Sequence, residues 1–427
     1  MKVLALNCGS SSIKAELFDA TLFDKSDGCQ ALWTGRISWS DDNQGAMEVH
    51  VGGKPSVVRS IGSVGIETAI KLLLNLLWSA PSAVIKGPTE VKLIGHRIVH
   101  GGTEFRESTV ITDEVFHRLA GLSDLAPLHQ QRCLQGVTAA RALFQTATQV
   151  AVFDTAFHAS VPEEAYIYPV PYEWFADWGI RRYGFHGINH SYISKRAFSL
   201  ASLAVTGSRM ITCHLGSGCS LAAIAGGKSI ATTMGFTPLE GLMMATRSGS
   251  IDPGILLYLM EHKKLPSEQL DHALNHQSGL LGISGLSADM REIEEAARQG
   301  NHRCRLALDV FVDRAAAEIS SLLPKLDGLD MLVFSGGIGE NSAELRQRIC
   351  AKLRFLGVQL DADANSNDQH DDRLIASADS KVLVAAVHAH EEQEIAHQAL
   401  SVAPLGLSAK NETTIPGAIG MRQEKSQ

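Results

Sequence analysis

The sequence predicts an α/β protein with a duplicated domain. Residues 2–6 are an apolar run typical of a buried strand; a Gly/Ser loop and an apolar return at residues 14–18 follow, as in a hairpin. The same order of strand, Gly/Ser loop and returning strand recurs over residues 210–224, where Gly216 matches Gly9. Repetition of one unit at a long interval indicates duplication. The alternative is a coincidence between two serine-rich turns.

Helical and extended patterns alternate along the rest of the chain, which supports the α/β class. Residues 25–60 predict an antiparallel sheet edge, and residues 303–323 predict a long helix ended by Pro324. From residue 403 onward the chain lacks periodicity and is predicted to be a mobile tail. The remaining predicted elements are helices at 66–78, 131–144 and 391–400, strands at 92–94, 150–153, 331–334 and 382–387, and a helix reaching about Leu353.

Composition narrows the class of protein. The chain has 427 residues, enough for two or three domains, and 45% of them are hydrophobic. Its net charge of −8 gives no basic footprint, so nucleic acid is not an expected partner. The seven cysteines form no C-x-x-C pair, which favours a reducing cytoplasm over a disulfide framework. The densest apolar segment is too short to span a bilayer, so no membrane association is expected.

Three glycine-rich loops follow predicted strands. The first contains Gly9 and three serines and leads to Lys14, an inventory of N–H groups, hydroxyls and charge that suits a phosphate. The second is His214–Ser220, and the third, Ser335–Ser342, opens a helix. Strand, glycine turn and helix is an arrangement that binds nucleotide phosphates. For any one loop the alternative is an ordinary turn, and none matches the P-loop pattern.

Further motifs make the sequence resemble the acetate and propionate kinase family over nearly the whole chain to about residue 400. The resemblance rests on the order and number of blocks rather than on any single one. These blocks are Asn7–Lys14, Gly95–Gly102, Asp154–His158, Tyr183–Gly187, Phe236–Gly241, Thr246–Gly249, Ser278–Gly285 and Gly336–Asn341.

The resemblance implies a fold of two duplicated actin-like domains with a nucleotide cleft between them. The expected division is residues 1–154 plus 388–402 for the first domain and 155–387 for the second. The implied activity is transfer of the γ-phosphoryl of ATP to acetate, giving acetyl phosphate and ADP. Mg²⁺, with Mn²⁺ as a possible substitute, is the implied metal, and a homodimer is the implied assembly.

The resemblance also assigns site residues. Asp154, His186 and Arg247 would be catalytic, with His186 and Arg247 stabilising the phosphoryl group in transfer. Arg97 would pair with the substrate carboxylate, because its planar fork is permanently charged. The acyl group would meet Val99, Leu128 and Pro238, and Asn7 and Glu391 would support the metal. The implied nucleotide-binding residues are Lys14, His214, Leu215, Gly216, Ser217, Gly218, Asp289, Met290, Arg291, Gly337, Ile338, Gly339, Glu340 and Asn341.

Several positions depart from the family pattern. Ser217 stands where such kinases usually carry Asn, Ala231 and Ser250 replace Asp, and His390 replaces Asn. None of these removes a charged group assigned to the transition state. They leave open a propionate or butyrate kinase of the same fold, and a catalytically weak nucleotide-binding sensor. Retention of Arg97, Asp154, His186 and Arg247 favours the enzyme.

Overall fold

The structure, a computed structural model, describes residues 1–9, 12–23, 30–39, 44–123, 127–367 and 371–403, with the backbone alone for residues 127–129. The predicted tail therefore lies outside the described residues. Within them, no helix has the length and apolar character needed to cross a membrane.

Eight strands form the first sheet, in the order β5-β4-β3-β2-β1-β6-β8-β7. The β1–β2 pair is the predicted hairpin, and β3 to β5 form the predicted antiparallel edge. β1, β6 and β8 are parallel neighbours in the middle of the sheet. The strands are β1 Lys2–Cys8, β2 Ser12–Asp19, β3 Trp33–Trp39, β4 Gly45–Val51, β5 Val57–Gly62, β6 Val91–Ile98, β7 Thr109–Val110 and β8 Thr148–Phe153.

Six strands form the second sheet, in the order β11-β10-β9-β12-β14-β13. An antiparallel hairpin, β9–β10, again leads into parallel neighbours, β9, β12 and β14, and a short antiparallel strand again closes the edge. This order repeats that of the β3-β2-β1-β6-β8-β7 part of the first sheet, which has β4 and β5 in addition. The strands are β9 Arg209–Leu215, β10 Cys219–Ala225, β11 Lys228–Thr232, β12 Met331–Ser335, β13 Arg373–Leu374 and β14 Leu383–Ala386.

Helices cover and connect the two sheets, and the described ones are numbered in chain order. They are α1 Ile66–Asn75, α2 Asp113–Gly121, α3 Pro127–Leu143, α4 Glu163–Tyr166, α5 Tyr172–Trp178, α6 Gly187–Leu200, α7 Pro253–Lys263, α8 Ser267–His276, α9 Gly279–Ser284, α10 Met290–Arg298, α11 His302–Leu326, α12 Gly336–Asn341, α13 Ala343–Lys352, α14 Ala362–Ser366 and α15 Glu391–Val402. Short 3₁₀ turns lie at Ala20–Leu22, Pro88–Glu90, Ala156–Ser160 and Arg354–Leu356.

Two predicted helix ends are wrong. Pro324 lies inside α11, which continues to Leu326, because a proline in the last turn forfeits only one backbone hydrogen bond. The first helix ends at Asn75 rather than at residue 78. The predicted helix that follows Ser342 and reaches about Leu353 is confirmed as α13, which the Ser342 side chain caps by accepting from the Leu345 N–H, while the predicted glycine loop before it contains the short helix α12.

Two helices exchange places between the sheets. α6 follows the first sheet's β8, yet its Ile193, Ala197 and Phe198 pack with strands of the second sheet. α15 follows the second sheet's β14, yet its apolar side chains pack on β1, β6 and β8. Gly95 in β6 permits this approach, because a Cβ there would lie 2.8 Å from Ile395 Cγ2. The exchange carries both helix N-termini to the boundary between the sheets.

Candidate active site

A buried ion pair lies at the carboxyl end of the first sheet. Arg97, near the end of β6, donates through Nε and NH2 to Asp154 Oδ2 at 3.0 and 2.6 Å. Asp154 directly follows β8, the strand beside β6, and is 2% exposed. Burial raises the pKa of Asp154, and the guanidinium opposes that rise. Burial would lower the pKa of Arg97, but Asp154 and Glu391 raise it, so the cation is held firmly.

The start of α15 reaches the same place. Asn7 Nδ2 donates to Glu391 Oε2 at 3.0 Å and to Glu392 Oε1 at 2.9 Å, while Arg97 NH1 lies 3.4 Å from Asn7 Oδ1. Lys14, paired with Asn7 across the hairpin, lies 3.9 Å from Glu392. Burial would raise the pKa of Glu391, yet Arg97 and nearby polar groups lower it. Glu391 is therefore an anion in this cluster.

The donor set here fits Mg²⁺. The hydrogen bonds from Arg97 and Asn7 go to Asp154 Oδ2 and Glu391 Oε2. The other oxygen of each carboxylate, Asp154 Oδ1 and Glu391 Oε1, makes no hydrogen bond with any described residue. Mg²⁺ prefers hard oxygen ligands and is often held by one or two carboxylates plus water and phosphate. The described residues contain no group of three or more His, Cys, Asp or Glu side chains suited to a metal, so water and phosphate would have to supply most of the ligands.

The second sheet contributes two stacked imidazoles. The His186 and His214 ring centroids are 4.2 Å apart. His186 adopts a left-handed backbone conformation, φ 55°, at the start of α6, and the next residue, Gly187, donates its N–H to Asp154 O at 2.8 Å. His186 is thereby tied to the ion pair. Burial, followed by the neighbouring histidines and arginines, lowers its pKa well below the usual value, so the ring is neutral. Burial also lowers the pKa of His214.

Arg247 lies on the other side of the second glycine loop. A Cβ added to Gly218 would lie 3.2 Å from His186 Nε2 and 3.7 Å from Arg247 NH1, so the bare loop fits between the two side chains. NH1 of Arg247 also donates to Pro238 O at 3.2 Å. The second glycine loop is hydrogen-bonded to the segment that carries Arg247, because Ala245 N donates to Ser217 O.

The Ser278–Gly285 block supports the turn that carries Arg247. Ser278 N donates to Thr246 O, and Leu280 N donates to Met244 O. Gly279 has φ +63°, and a Cβ there would lie 2.1 Å from Met244 O. Only glycine fits this contact, so the block serves to hold the Arg247 turn in place.

The third glycine loop meets the second. A Cβ on Gly216 would lie 3.8 Å from Gly337 N, and Gly336 takes φ +78° to pass Leu215 O at close range. Glu340 Oε1 accepts from Gly336 N at 2.8 Å and from Ala389 N at 3.0 Å, which fixes the loop to the segment before α15. The other predicted residues, Ile338, Gly339 and Asn341, lie on α12, where Asn341 Nδ2 donates to Gly337 O.

Other predicted residues lie farther out. Asp289 caps α10 and pairs with Arg291, whose side chain is 87% exposed, while Met290 is buried. Glu294, on the same helix, accepts from Ser342 Oγ at 2.5 Å and so links this group to the end of the third loop. Val99 is 3% exposed within the apolar core, and the Leu128 side chain lies outside the described residues. Pro238 is half-buried and joins the site through its carbonyl group.

Sequence reasoning missed three buried polar residues behind the imidazoles. Asn189 Nδ2 lies 2.7 Å from His214 Nδ1, and Ser220 Oγ lies 2.9 Å from His186 Nδ1 and 2.8 Å from His190 Nε2. Asn189 and His190 lie three and four positions after His186, a spacing that places them on one helix face. That spacing was the available signal. Ser220 had none, because its partners come from another element.

Matched sheets whose glycine loops, imidazoles and guanidinium groups gather around one charged cluster define an α/β protein built to handle phosphate groups. The family model described as the acetokinase family matches residues 2–397. The chain belongs to this family, which confirms the resemblance and the predicted fold class of two duplicated actin-like halves.

Relatives agree along nearly the full length. The acetate kinase of Cyanothece sp. is 48% identical over 398 residues, covering 93% of this chain and 97% of that protein. Among solved structures, Porphyromonas gingivalis acetate kinase has a TM-score of 0.86 at 38% identity, covering 94% of this chain and 99% of its own. A propionate kinase from Francisella tularensis has a TM-score of 0.85 at 35% identity, with the same coverage.

Proposed function

We propose that this protein is a carboxylate phosphotransferase that reversibly transfers the γ-phosphoryl group of ATP to acetate, giving acetyl phosphate and ADP. The observation that carries the proposal is the arrangement of Arg97, Asp154, His186 and Arg247 around the Gly216–Gly218 loop. Phosphoryl transfer depends on alignment and on neutralising charge on the phosphoryl oxygens, and these residue types supply both. The names of the acetate kinase relatives support the same activity.

Arg97 would bind the substrate carboxylate. Asp154 engages its Nε and NH2 atoms on one edge, whereas NH1 has only the long 3.4 Å contact with Asn7. The NH1 side of the fork can therefore turn to a carboxylate without breaking the buried pair. In this role the Asp154 carboxylate would orient Arg97 and stabilise its positive charge, and it would not need to transfer a proton.

His186 and Arg247 would flank the phosphoryl group in transfer. Arg247 brings a permanent positive charge, and neutral His186 brings a ring N–H donor. Their Nε2 and NH1 atoms both approach Gly218, which has no side chain to block an incoming phosphate. Donors that are already positioned where charge develops stabilise a transition state strongly in a dry site.

The glycine loops would hold the nucleotide, as the sequence resemblance implies. The second and third loops approach each other at Gly216 and Gly337, so both offer backbone groups to one stretch of phosphates. Lys14 would add charge from the first loop. Asp289–Arg291, at the start of α10, would lie toward the far end of the nucleotide.

Mg²⁺ would be held by Asn7, Glu391 and the open oxygen of Asp154, with Mn²⁺ as a substitute. The ion would neutralise phosphate charge when bound. Within the chain itself, the hydrogen bonds from Asn7 to Glu391 and Glu392 keep these oxygens in place, and Lys14 offsets their negative charge.

A hydroxamate assay tests this function. Wild-type protein with ATP, Mg²⁺ and hydroxylamine is offered acetate, propionate and butyrate, and trapped acyl phosphate is measured. We expect product with acetate, and a lower kcat/KM with the longer acids, because Val99 and Pro238 would leave a small pocket. Product with propionate in preference to acetate would favour the activity named for the Francisella tularensis structure. Nucleotide binding without product from any acid would contradict the proposal.

We also propose a cytoplasmic homodimer. α7 is apolar around most of its circumference, yet none of its residues is buried, and Leu257 and Tyr258 are more than half exposed. An exposed helix of this kind normally has a partner surface. The described cysteines are all unpaired and buried, which suits a reducing compartment. Chromatography with light scattering would test the dimer.

A further inference from the structure

Ser220 lies between two buried histidines. Its Oγ is 2.9 Å from His186 Nδ1 and 2.8 Å from His190 Nε2, and both Ser220 and His190 are fully buried. On its other side, His190 Nδ1 lies 2.7 Å from the hydroxyl of Thr212. Thr212, His190, Ser220 and His186 therefore form a continuous hydrogen-bonded chain that leads to the site.

Proton counting couples the two rings. A hydroxyl has one proton, so Ser220 can donate to only one histidine and must accept from the other. If His190 carries its proton on Nε2, it donates to Ser220, and Ser220 donates to His186 Nδ1. His186 must then carry its own proton on Nε2. In the reverse array, His186 carries the proton on Nδ1 and presents a bare Nε2.

Thr212 selects between the two arrays. The 2.7 Å hydrogen bond between Thr212 and His190 Nδ1 is made in both arrays: the Thr212 hydroxyl donates in the first and accepts in the second. In the second array the proton of this fully buried hydroxyl must turn to Ala222 O over 3.5 Å, which is at the limit for a hydrogen bond, and a buried donor without a good acceptor is costly. The first array is therefore favoured, and it leaves the His186 Nε2–H beside Gly218 and near Arg247.

We propose that Thr212, His190 and Ser220 are positioning residues that fix His186 in the Nε2–H tautomer, so that a hydrogen-bond donor always faces the transferring phosphoryl group. The inference rests on the proposed function for the role of His186, but the tautomer itself does not. Both rings are neutral, because burial and neighbouring histidines lower the pKa of each, and a neutral imidazole needs such an array to select its tautomer.

Nitrogen NMR of the full-length protein labelled with ¹⁵N-histidine tests the tautomer directly. Long-range proton–nitrogen spectra distinguish the protonated ring nitrogen from the bare one, and subtraction of the His186→Gln spectrum assigns the signals. We expect the Nε2–H form in the wild type. Ser220→Ala and Thr212→Val should each produce a mixture of tautomers. A wild type in the Nδ1–H form, or variants that leave the Nε2–H form fully populated, would overturn the proposal.

Steady-state kinetics supply the second readout. Ser220→Ala should lower kcat about 10-fold with both KM values nearly unchanged, because the donor acts chiefly on the transition state. Ser229→Ala is the matched control, since it removes a buried hydroxyl 2.8 Å from His158 without touching the chain of four residues. If Ser220→Ala does not fold, Thr212→Val carries the test.

The two hypotheses fail differently. A wild-type protein that forms no acyl phosphate would remove the proposed function while the NMR spectrum still reports the tautomer. An active wild type whose kcat does not respond to Ser220→Ala or Thr212→Val, with the tautomer unchanged, would remove the positioning role alone.

Discussion

The two sheets differ most where their central strands end. In the first sheet, Asn7 on β1 lies beside Arg97 on β6, and the buried partner of Arg97 is Asp154. At the matching places of the second sheet, His214 on β9 pairs with Ser335 on β12. The topology is the same, but one end carries formal charges and the other carries neutral hydrogen-bonding groups. Duplication has preserved the strand order while the chemistry of the two ends has separated.

Under the proposed function, this difference would divide the work of the site between the two halves. Fixed charges suit a carboxylate and a metal ion, which need strong fields and ionic partners. Neutral imidazole and hydroxyl groups beside glycine loops suit phosphate oxygens, which need many donors at close range. The three tests below break or sharpen this division, from the largest expected effect to the smallest.

Arg97→Ala should have the largest effect. It removes the proposed carboxylate-binding charge and leaves Asp154 buried without its partner. We expect kcat/KM for acetate to fall about 10³-fold, with a weaker effect on KM for ATP, as measured by steady-state kinetics. Arg141→Ala, which removes an arginine–carboxylate pair from the surface of the same half, is the control and should stay near wild type. Equal losses for both substrates would contradict the division.

Arg247→Ala should act on turnover more than on binding. Its guanidinium is placed beside the loop where charge would develop, so we expect kcat to fall about 10²-fold with little change in KM for acetate. Arg298→Ala removes an exposed arginine of the second half and serves as the comparison. Near-normal kcat in Arg247→Ala would mean that the second half does not stabilise the phosphoryl group.

Asp372→Asn should change stability and spare catalysis. Asp372 pairs with Arg196 on α6 and with His388, neither of which is assigned a role in the proposed active site. Despite burial, His388 and Arg196 lower its pKa from 3.8 to about 2. We expect a loss of about 2 kcal/mol in the free energy of unfolding near neutral pH. Urea titration measures it, with kcat as the internal control.

The pH dependence of that loss has a definite sign. A lowered carboxyl pKa stabilises the fold above its ordinary value of 3.8, and the contribution fades as pH falls toward 2. The hydrogen bond to Asp372 raises the pKa of His388, so its contribution is complete below about pH 6 and fades at higher pH. The gap between wild type and Asp372→Asn should therefore be widest near pH 5 to 6. A gap that grows as the pH falls from 5 toward 2 would contradict the assignment.

Much of the fold could be predicted from the local pattern of apolar runs and glycine loops. The two hairpins follow from apolar runs on either side of glycine loops, and their repetition predicted the matched sheets. Pro324 misled because proline rules describe helix interiors, and its place in the last turn depends on how α11 packs. The exchange of α6 and α15 could not be predicted from periodicity, since both helices show apolar faces without saying which sheet covers them.

The site residues, like the fold, could be predicted only in part from the sequence. The resemblance predicted four site residues that lie close together in the structure, namely Arg97, Asp154, His186 and Arg247. Their roles remain predictions. Ser220 and Thr212 were missed, because a serine in a strand looks ordinary until β10 and β9 bring it against α6. Asp289 and Arg291 pair with each other, and Glu294 on the same helix accepts from Ser342 Oγ at the end of the third loop. The sequence spacing of these residues did not indicate this contact.

The helix exchange has a consequence for how the chain folds. α15 completes the apolar layer on β1, β6 and β8, although in the sequence it follows all the strands of the second sheet. α6 completes the apolar layer on β9, β12 and β14, although in the sequence it follows β8 of the first sheet. Neither half covers both faces of its own sheet, so an isolated segment ending near residue 154 would expose Val3, Ala5 and Val152 to water. Folding is therefore expected to be cooperative over both halves, with one unfolding transition and late closure of α15 over the first sheet.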